Sequence, residues 1–185
     1  MKALKRRGGF SMVEVVVVCA MTLILSGIFI GYNRTSGKQL ILYSEQSRVI
    51  GTLNEAKALA LQKFKENNSQ PDTIICAYGV RFDAVNGQYF VFRVQKDMDD
   101  SVCPVSDESR REVVSKYELD RNVEIVSATS DWVAFEAPYL KVSPVSGARV
   151  TLRLTTGGFS KTVEVGTGGA VTPIAPAAGM PENYK

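Results

Sequence analysis

The sequence predicts an α+β protein, in which a long N-terminal helix with an apolar first part packs on an antiparallel β-sheet domain. Phe10 to Ile30 is a run of 21 residues that contains one charge, Glu14. Apolar residues then recur at helical spacing as far as residue 66. After residue 70, short alternating segments are separated by glycine-rich turns, which is typical of antiparallel strands.

The composition fits one globular domain with a basic N-terminus. The chain has 185 residues, 45% of them hydrophobic and 22% charged. Four of the 22 basic residues precede residue 10, which leaves 18 against 19 acidic residues, so the remainder has no basic excess suited to nucleic acid. The absence of histidine excludes Ser-His-Asp triads and His-ligated zinc. We predict neither an enzyme nor a cofactor.

The apolar run is long enough to cross a membrane. As a helix it measures about 31 Å, which matches the hydrocarbon core of a bilayer. The preceding Lys5, Arg6 and Arg7 predict a cytoplasmic N-terminus and an exported C-terminal part. A cleaved secretory signal, with a faint cleavage site at Ser26-Gly27, and a plain signal anchor are two alternatives.

The junction before the apolar run has a more specific form. Residues 8–14, GGFSMVE, resemble the prepilin signature of type IV pilins and type II secretion pseudopilins. The resemblance implies that prepilin peptidase cuts between Gly9 and Phe10. Residues 1–9 are then a leader that is removed, Phe10 becomes the N-methylated first residue, and Glu14 becomes the fifth. Residues 10–30 are the transmembrane and filament-core helix.

Glu14 has a physical role in such an assembly. A carboxylate costs about 2.5–3.5 kcal/mol at the centre of a membrane helix, and less near its end. Cleavage creates an ammonium group at Phe10, which the Glu14 carboxylate of a neighbouring parallel helix can neutralise. Such a pair also selects one axial register. The alternative is that Glu14 reaches the lipid headgroups by itself.

The amphipathic segment 31–66 is predicted to lead into the head domain. Its apolar stripe has helical spacing, and a break or the exit from the bilayer falls within 33–38. The stripe comprises Leu42, Val49, Leu53, Ala56, Ala60 and Phe64, while Glu45, Lys57, Lys63 and Lys65 lie mostly off it.

Residues 67–172 are predicted to form the β head domain, followed by a Pro/Ala-rich flexible tail, 173–185. Strands are expected at 73–82, 88–95, 123–128, 132–137, 139–143, 149–155 and 160–165, with a loop over 97–112. Asn86-Gly87 is a hairpin signal. Segments 76–83 and 149–171 resemble the GspH/FimT-like group of minor pilins.

These resemblances imply a structural subunit, a minor pilin or pseudopilin, of a type IV pilus or a type II secretion filament. The implied partners are other pilin subunits, prepilin peptidase and the membrane. The implied location is the bacterial cytoplasmic membrane, crossed once with the C-terminus outside, and then a periplasmic or cell-surface filament. The alternative function is a signal-anchored extracytoplasmic binding module that stays in the membrane.

Two of the three cysteines are expected to pair. Cys76 and Cys103 both lie in the exported part, where an oxidising compartment favours a disulfide. Two independent thiols and a two-thiol metal site are the alternatives. Cys19 lies in the apolar run and is expected to act as a small hydrophobic residue.

Four other sets of residues suggest functions, each with a plainer structural alternative. The aromatic residues Trp132, Phe135 and Tyr139 could form a ligand platform or belong to the core. The acids Asp97, Asp99, Asp100 and Asp107 could bind calcium or form a solvated loop. The basic residues Arg110, Arg111, Lys116 and Arg121 could contact DNA in an uptake pilus, and the carboxylates Asp83 and Glu136 could serve a hydrolase.

Overall fold

The computed structural model describes residues 11–66, 73–97, 99–156 and 158–174, and it confirms the predicted α+β class. Within these ranges, one long helix precedes nine strands. In chain order the elements are α1 (Met12–Glu66), β1 (Thr73–Asp83), β2 (Gln88–Asp97), a 3-10 helix (Glu108–Arg110), β3 (Arg111–Glu118), β4 (Val123–Ala128), β5 (Trp132–Glu136), β6 (Lys141–Ser143), β7 (Ala148–Leu154), β8 (Ser160–Val165) and β9 (Val171–Ile174).

The chain divides into two compact units at Lys38, within α1. The backbone stays helical across Asn33–Lys38, where the sequence left a break open. The first unit contributes the apolar part of α1. The second unit, Gln39–Lys185, contains the rest of α1 and all of the strands.

The second unit has a main hydrophobic core, and the apolar stripe of α1 forms the helical part of it. Leu42, Val49 and Leu53 are each 1% exposed, and Ala56 and Ala60 are also buried. This confirms the helical spacing predicted for these five residues. The side chain of Phe64 lies outside the described part of the structure.

The placement of Glu45 off the apolar stripe is wrong. Glu45 is only 8% exposed, because it lies three residues after Leu42 and four before Val49, on the same face of the helix. Its polarity, not its position in the helical repeat, made it look like a surface residue.

Two antiparallel sheets complete the main core. The first has the strand order β3-β2-β1-β5-β6 and the second the order β4-β7-β8-β9. Alternate residues of the central strands face α1, as strand geometry requires. They include Tyr78, Val80, Tyr89 and Val91 from the first sheet, and Val150, Leu152 and Val163 from the second.

Two outer strands differ from the sequence expectation. The predicted loop 97–112 overlaps β3, which begins at Arg111, and Asp97 still belongs to β2. The expected tail begins inside β9, where Pro173 pairs with Val163 and Ile174 with Thr162. Both strands lie at sheet edges, where one side of the strand is free of sheet partners and charged residues or proline are tolerated.

Strand β6 begins later than expected. Tyr139 and Leu140 form part of a turn, and β6 begins only at Lys141. Leu140 has a φ of 54°, a left-handed conformation that cannot continue a strand.

Gly79 is the glycine on which strand packing depends most clearly. A Cβ atom at this position would stand 2.5 Å from Cζ of Phe92 and would also meet the carbonyl oxygen of Val133 on the neighbouring strand. Neither the ring nor the backbone of a central strand can move aside without disturbing the sheet.

We therefore expect Gly79→Ala to destabilise the head domain by about 1–3 kcal/mol, the usual cost of overpacking. Gly51→Ala is the matched control, because no atom lies within 4 Å of a Cβ at that helical position and alanine favours the helix. Urea denaturation of the two variants measures the difference. Equal stability of both would contradict the close packing at Gly79.

Candidate functional site

The apolar part of α1 has no cover from the described residues. Every large apolar side chain from Met12 to Ile30 is between 46% and 87% exposed. The same 19 residues form a helix that is long and apolar enough to cross a membrane, by length and composition. A surface of this kind needs an apolar environment, either lipid or other helices.

Glu14 lies in the first turn of this helix, and Ser11 precedes it at the N-cap position. The Ser11 hydroxyl accepts a hydrogen bond from the Glu14 amide at 3.4 Å, and the Ser11 carbonyl accepts from the same amide at 3.0 Å. The macrodipole of the helix favours a carboxylate at this end. The Ser-x-x-Glu spacing is that of a capping box, a local signal that the sequence analysis missed.

The presence of Glu14 therefore has a local explanation, at the start of its own helix, as well as the predicted role in assembly. Gly9 and Phe10, the predicted cleavage and methylation residues, lie outside the described residues. Cleavage at that bond and methylation of Phe10 stay predictions.

In the head domain, the structure joins Cys76 to Cys103 by a disulfide, with their Cα atoms 5.8 Å apart. This is the pair that the sequence analysis expected. Cys19 is free and exposed on the apolar part of α1. The disulfide connects β1 to the loop that follows β2.

The disulfide borders a second, smaller core on the outer face of the first sheet. Its buried members are Cys76, Ala77, Phe92, Val94, Val105 and Ala134, with Cys103 and Trp132 packed against them. Val105 comes from the same loop as Cys103. The bond therefore holds an apolar loop residue against the sheet.

Arg111 fastens this loop from the other side. Its Nε and Nη2 atoms both donate to the carbonyl oxygen of Val105, at 3.0 and 2.8 Å. The guanidinium also lies 4.3 Å from the ring centre of Trp132 and 5.1 Å from that of Phe92. Burial lowers the pKa of Arg111. Arg111 therefore has a structural role in holding the loop that contains Val105.

The other proposed basic residues are also largely occupied. Arg110 donates to Asp97 at 2.8 Å, and Lys116 lies 3.5 Å from Glu118. Arg121 is exposed. Contact with DNA stays an untested alternative.

The acidic loop is held together by its own acids. Asp107 accepts from the amide and hydroxyl of Ser109, and Asp100 accepts from the amide of Asp97 at 3.1 Å. Within the residues that the structure describes, no group of three or more His, Cys, Asp or Glu side chains could hold a metal ion.

The aromatic and hydrolase sets are not brought together as sites. Phe135 is fully buried in the main core, whereas Tyr139 is 91% exposed. Asp83 binds the amides of the following turn, and Glu136 accepts from the hydroxyl of Ser143. Since Glu136 pairs with Ala77, the carboxylates of Asp83 and Glu136 are separated by six strand residues, about 20 Å.

An open cleft of about 600 Å³ lies on the outer face of the first sheet. Phe90 and Phe92 contribute apolar surface, and an ion pair between Arg81 and Glu108 contributes charge. No sequence motif marked it, because its residues come from β1, β2, the 3-10 helix and β3.

The sequence matches no model of a known protein family and no curated protein sequence. Among solved structures, it is similar to the minor pseudopilin EpsH from the type 2 secretion system of Vibrio cholerae. The TM-score is 0.49 and the identity 9%, over 74% of this chain and 98% of that one. A likeness at this level does not assign a family.

We expect removal of the disulfide to weaken the head domain. For a closed segment of 27 residues, the chain-entropy estimate of its contribution is roughly 3–4 kcal/mol. A Cys76→Ser, Cys103→Ser double variant should therefore unfold at a clearly lower urea concentration. Cys19→Ser is the control and should match the original protein. An unchanged midpoint in the double variant would show that the bond adds no stability.

Proposed function

We propose that this chain is a structural subunit of the pilin type, anchored and then assembled through its N-terminal helix. The observation that carries the proposal is an apolar helical segment that no other described residue covers, which begins directly after a Gly-Gly-Phe junction and has one carboxylate in its first turn. The β head domain follows it and supplies the surface of the assembly.

The energetics favour an apolar environment for Met12–Ile30 at every stage. Burial of one large apolar side chain contributes about 1.5–3 kcal/mol, and this segment has more than ten such side chains exposed. Lipid covers the segment before assembly. Parallel helices of neighbouring subunits replace the lipid afterwards, in a heterologous arrangement that forms an open helix.

The charge at the start of the helix explains the need for Glu14. After cleavage, the ammonium group of Phe10 lies near the positive end of the helix macrodipole, which disfavours it. A neighbouring Glu14 carboxylate offsets both the dipole and the charge. In a low-dielectric bundle, the unpaired state is the one that is penalised, so the pair favours the filament over the monomer.

The finer features of the function belong to the same proposal. The subunit is a minor pilin or pseudopilin, and its partners are prepilin peptidase and other pilin subunits. It is located in the bacterial cytoplasmic membrane and then in a periplasmic or cell-surface filament. The disulfide supports export, because such bonds persist in oxidising compartments. The proposed role is structural and involves no chemistry by the protein itself.

Processing is tested by intact mass. When the chain is co-produced with a prepilin peptidase, we expect the mature protein to lack residues 1–9 and to carry one added methyl group at Phe10. A catalytically inactive peptidase provides the control, with the full-length mass. A chain that still begins at Met1 beside the active peptidase would contradict the proposal.

Assembly is tested by the charge of Glu14. We expect Glu14→Ala to be cleaved but incorporated into filaments more than tenfold less, since an uncompensated buried charge costs about 3–5 kcal/mol. The matched control is Ser11→Ala, which removes the hydroxyl that caps the helix and leaves the carboxylate. Equal losses in both variants would assign Glu14 to helix capping, not to pairing between subunits.

The open cleft beside Phe90 favours a second candidate, a membrane-anchored binding module. That function needs neither cleavage at Gly9 nor the carboxylate of Glu14. A full-length protein that tolerates Glu14→Ala but loses a ligand when Phe90 is replaced would support it.

A further inference from the structure

Glu45 is a buried acid that the proposed function does not use. It lies on the core-facing side of α1 in the head domain, and it is 8% exposed.

The partners of Glu45 are insufficient for a buried carboxylate. Its Oε1 atom is 3.7 Å from Nη1 of Arg48, which is beyond hydrogen-bond distance. Arg48 directs that same atom to the carbonyl oxygen of Glu118, at 3.2 Å, and its guanidinium lies over the ring of Tyr117. The Oε2 atom of Glu45 is buried without a hydrogen-bond partner in the described part of the chain.

Two other buried polar side chains of α1, in contrast, have hydrogen-bond partners. Gln46 donates to the carbonyl oxygen of Thr162, and Thr52 donates to that of Arg48. The hydroxyl of Tyr89, on β2, shares the condition of Glu45, since it too is buried without a partner among the described residues. An unpaired ion in such a place costs more than an unpaired neutral group.

The groups that face Glu45 come from each neighbouring element. Arg48 lies on α1, Tyr89 on β2, and Asp120 in the turn between β3 and β4, while Tyr117 on β3 stacks on Tyr89. The Asp120 carboxylate adds negative charge to the site, whereas the Asp120 backbone amide favours the ionised form of Glu45. The site therefore contains two acids, Glu45 and Asp120, and one arginine, Arg48, which is half-exposed.

We propose that protonation of Glu45 controls how tightly α1 packs within the head domain. When its carboxyl group takes up one proton, residues 39–62 of α1 pack more tightly against the first sheet, and loss of that proton loosens the packing. The proton removes the buried charge and the repulsion from Asp120, and it gives the acid a donor for a neighbouring oxygen.

The direction of the pKa agrees with this geometry. Burial raises the pKa of Glu45 above its ordinary value of 4.5, and the charge of Asp120 raises it further, against the opposing effects of Arg48 and of the Asp120 backbone amide. The folded state therefore binds the proton more tightly than the unfolded state does. The resulting stabilisation is fully present below about pH 4.5 and is lost as the pH rises through the raised pKa.

The exposed acids with lowered pKa values affect the stability of the fold over a different pH range. Hydrogen bonds from Asn86 lower the pKa of Asp83, and those from Ser109 lower that of Asp107, both from 3.8. Their contributions are lost only as the pH falls below that value. They do not produce a loss of stability on the alkaline side of pH 4.5.

The test is the pH dependence of the full chain in neutral detergent micelles, with Glu45→Gln, which keeps the shape but cannot ionise. Thermal unfolding of the original protein should shift to lower temperature between pH 4.5 and pH 8, while the variant stays constant. At pH 8, amides of residues 46–60 should exchange faster in the original protein, by about tenfold for each unit of raised pKa. At pH 4.5 the two proteins should exchange alike.

Glu55→Gln is the matched control, because Glu55 is an exposed acid on the same helix. This variant should keep the pH dependence of the original protein. The proposal is overturned if Glu45→Gln loses stability with pH as steeply as the original protein. It is equally overturned if NMR titration of the ¹³C-labelled Glu45 carboxyl gives a midpoint at or below 4.5.

Discussion

The apolar surface of Met12–Ile30 is the constraint on which the account depends, because water cannot be its permanent environment. By length and composition, this helix is suited to lipid or to packing among other helices. The β head domain, in contrast, buries its own apolar residues in two cores. The two parts therefore follow different physical requirements, although one continuous helix passes through both.

The head domain gains its order from packing of one helix face on two sheets. The smaller core on the outer face of the first sheet has fewer residues, and it is held by a disulfide and by Arg111 instead of a second helix. The disulfide and the hydrogen bonds of Arg111 thus hold the loop in place, because the loop itself buries little apolar surface. Glu45 and the hydroxyl of Tyr89 differ from this pattern in the main core, since each has a buried oxygen without a hydrogen-bond partner among the described residues.

Much of this fold could be predicted from residue spacing. Strands such as β4 and β8 match their expected limits, and the helical stripe from Leu42 to Ala60 is buried as its period requires. The strands β3 and β9 could not be found in this way, because β3 is rich in charged residues and β9 contains a proline, both of which their edge positions tolerate. At the candidate site, the Ser11 cap was readable from its spacing. The burial of Glu45 and the cleft depend on contacts between distant segments.

The central claim is that neighbouring helices replace lipid around Met12–Ile30, and photo-crosslinking from within that segment tests it most directly. A photoreactive amino acid at Ile24, in cells that contain the assembly machinery, is predicted to crosslink the chain to another pilin-type subunit. The crosslink should disappear when prepilin peptidase is absent. Adducts with lipid alone, unchanged by the peptidase, would contradict the account.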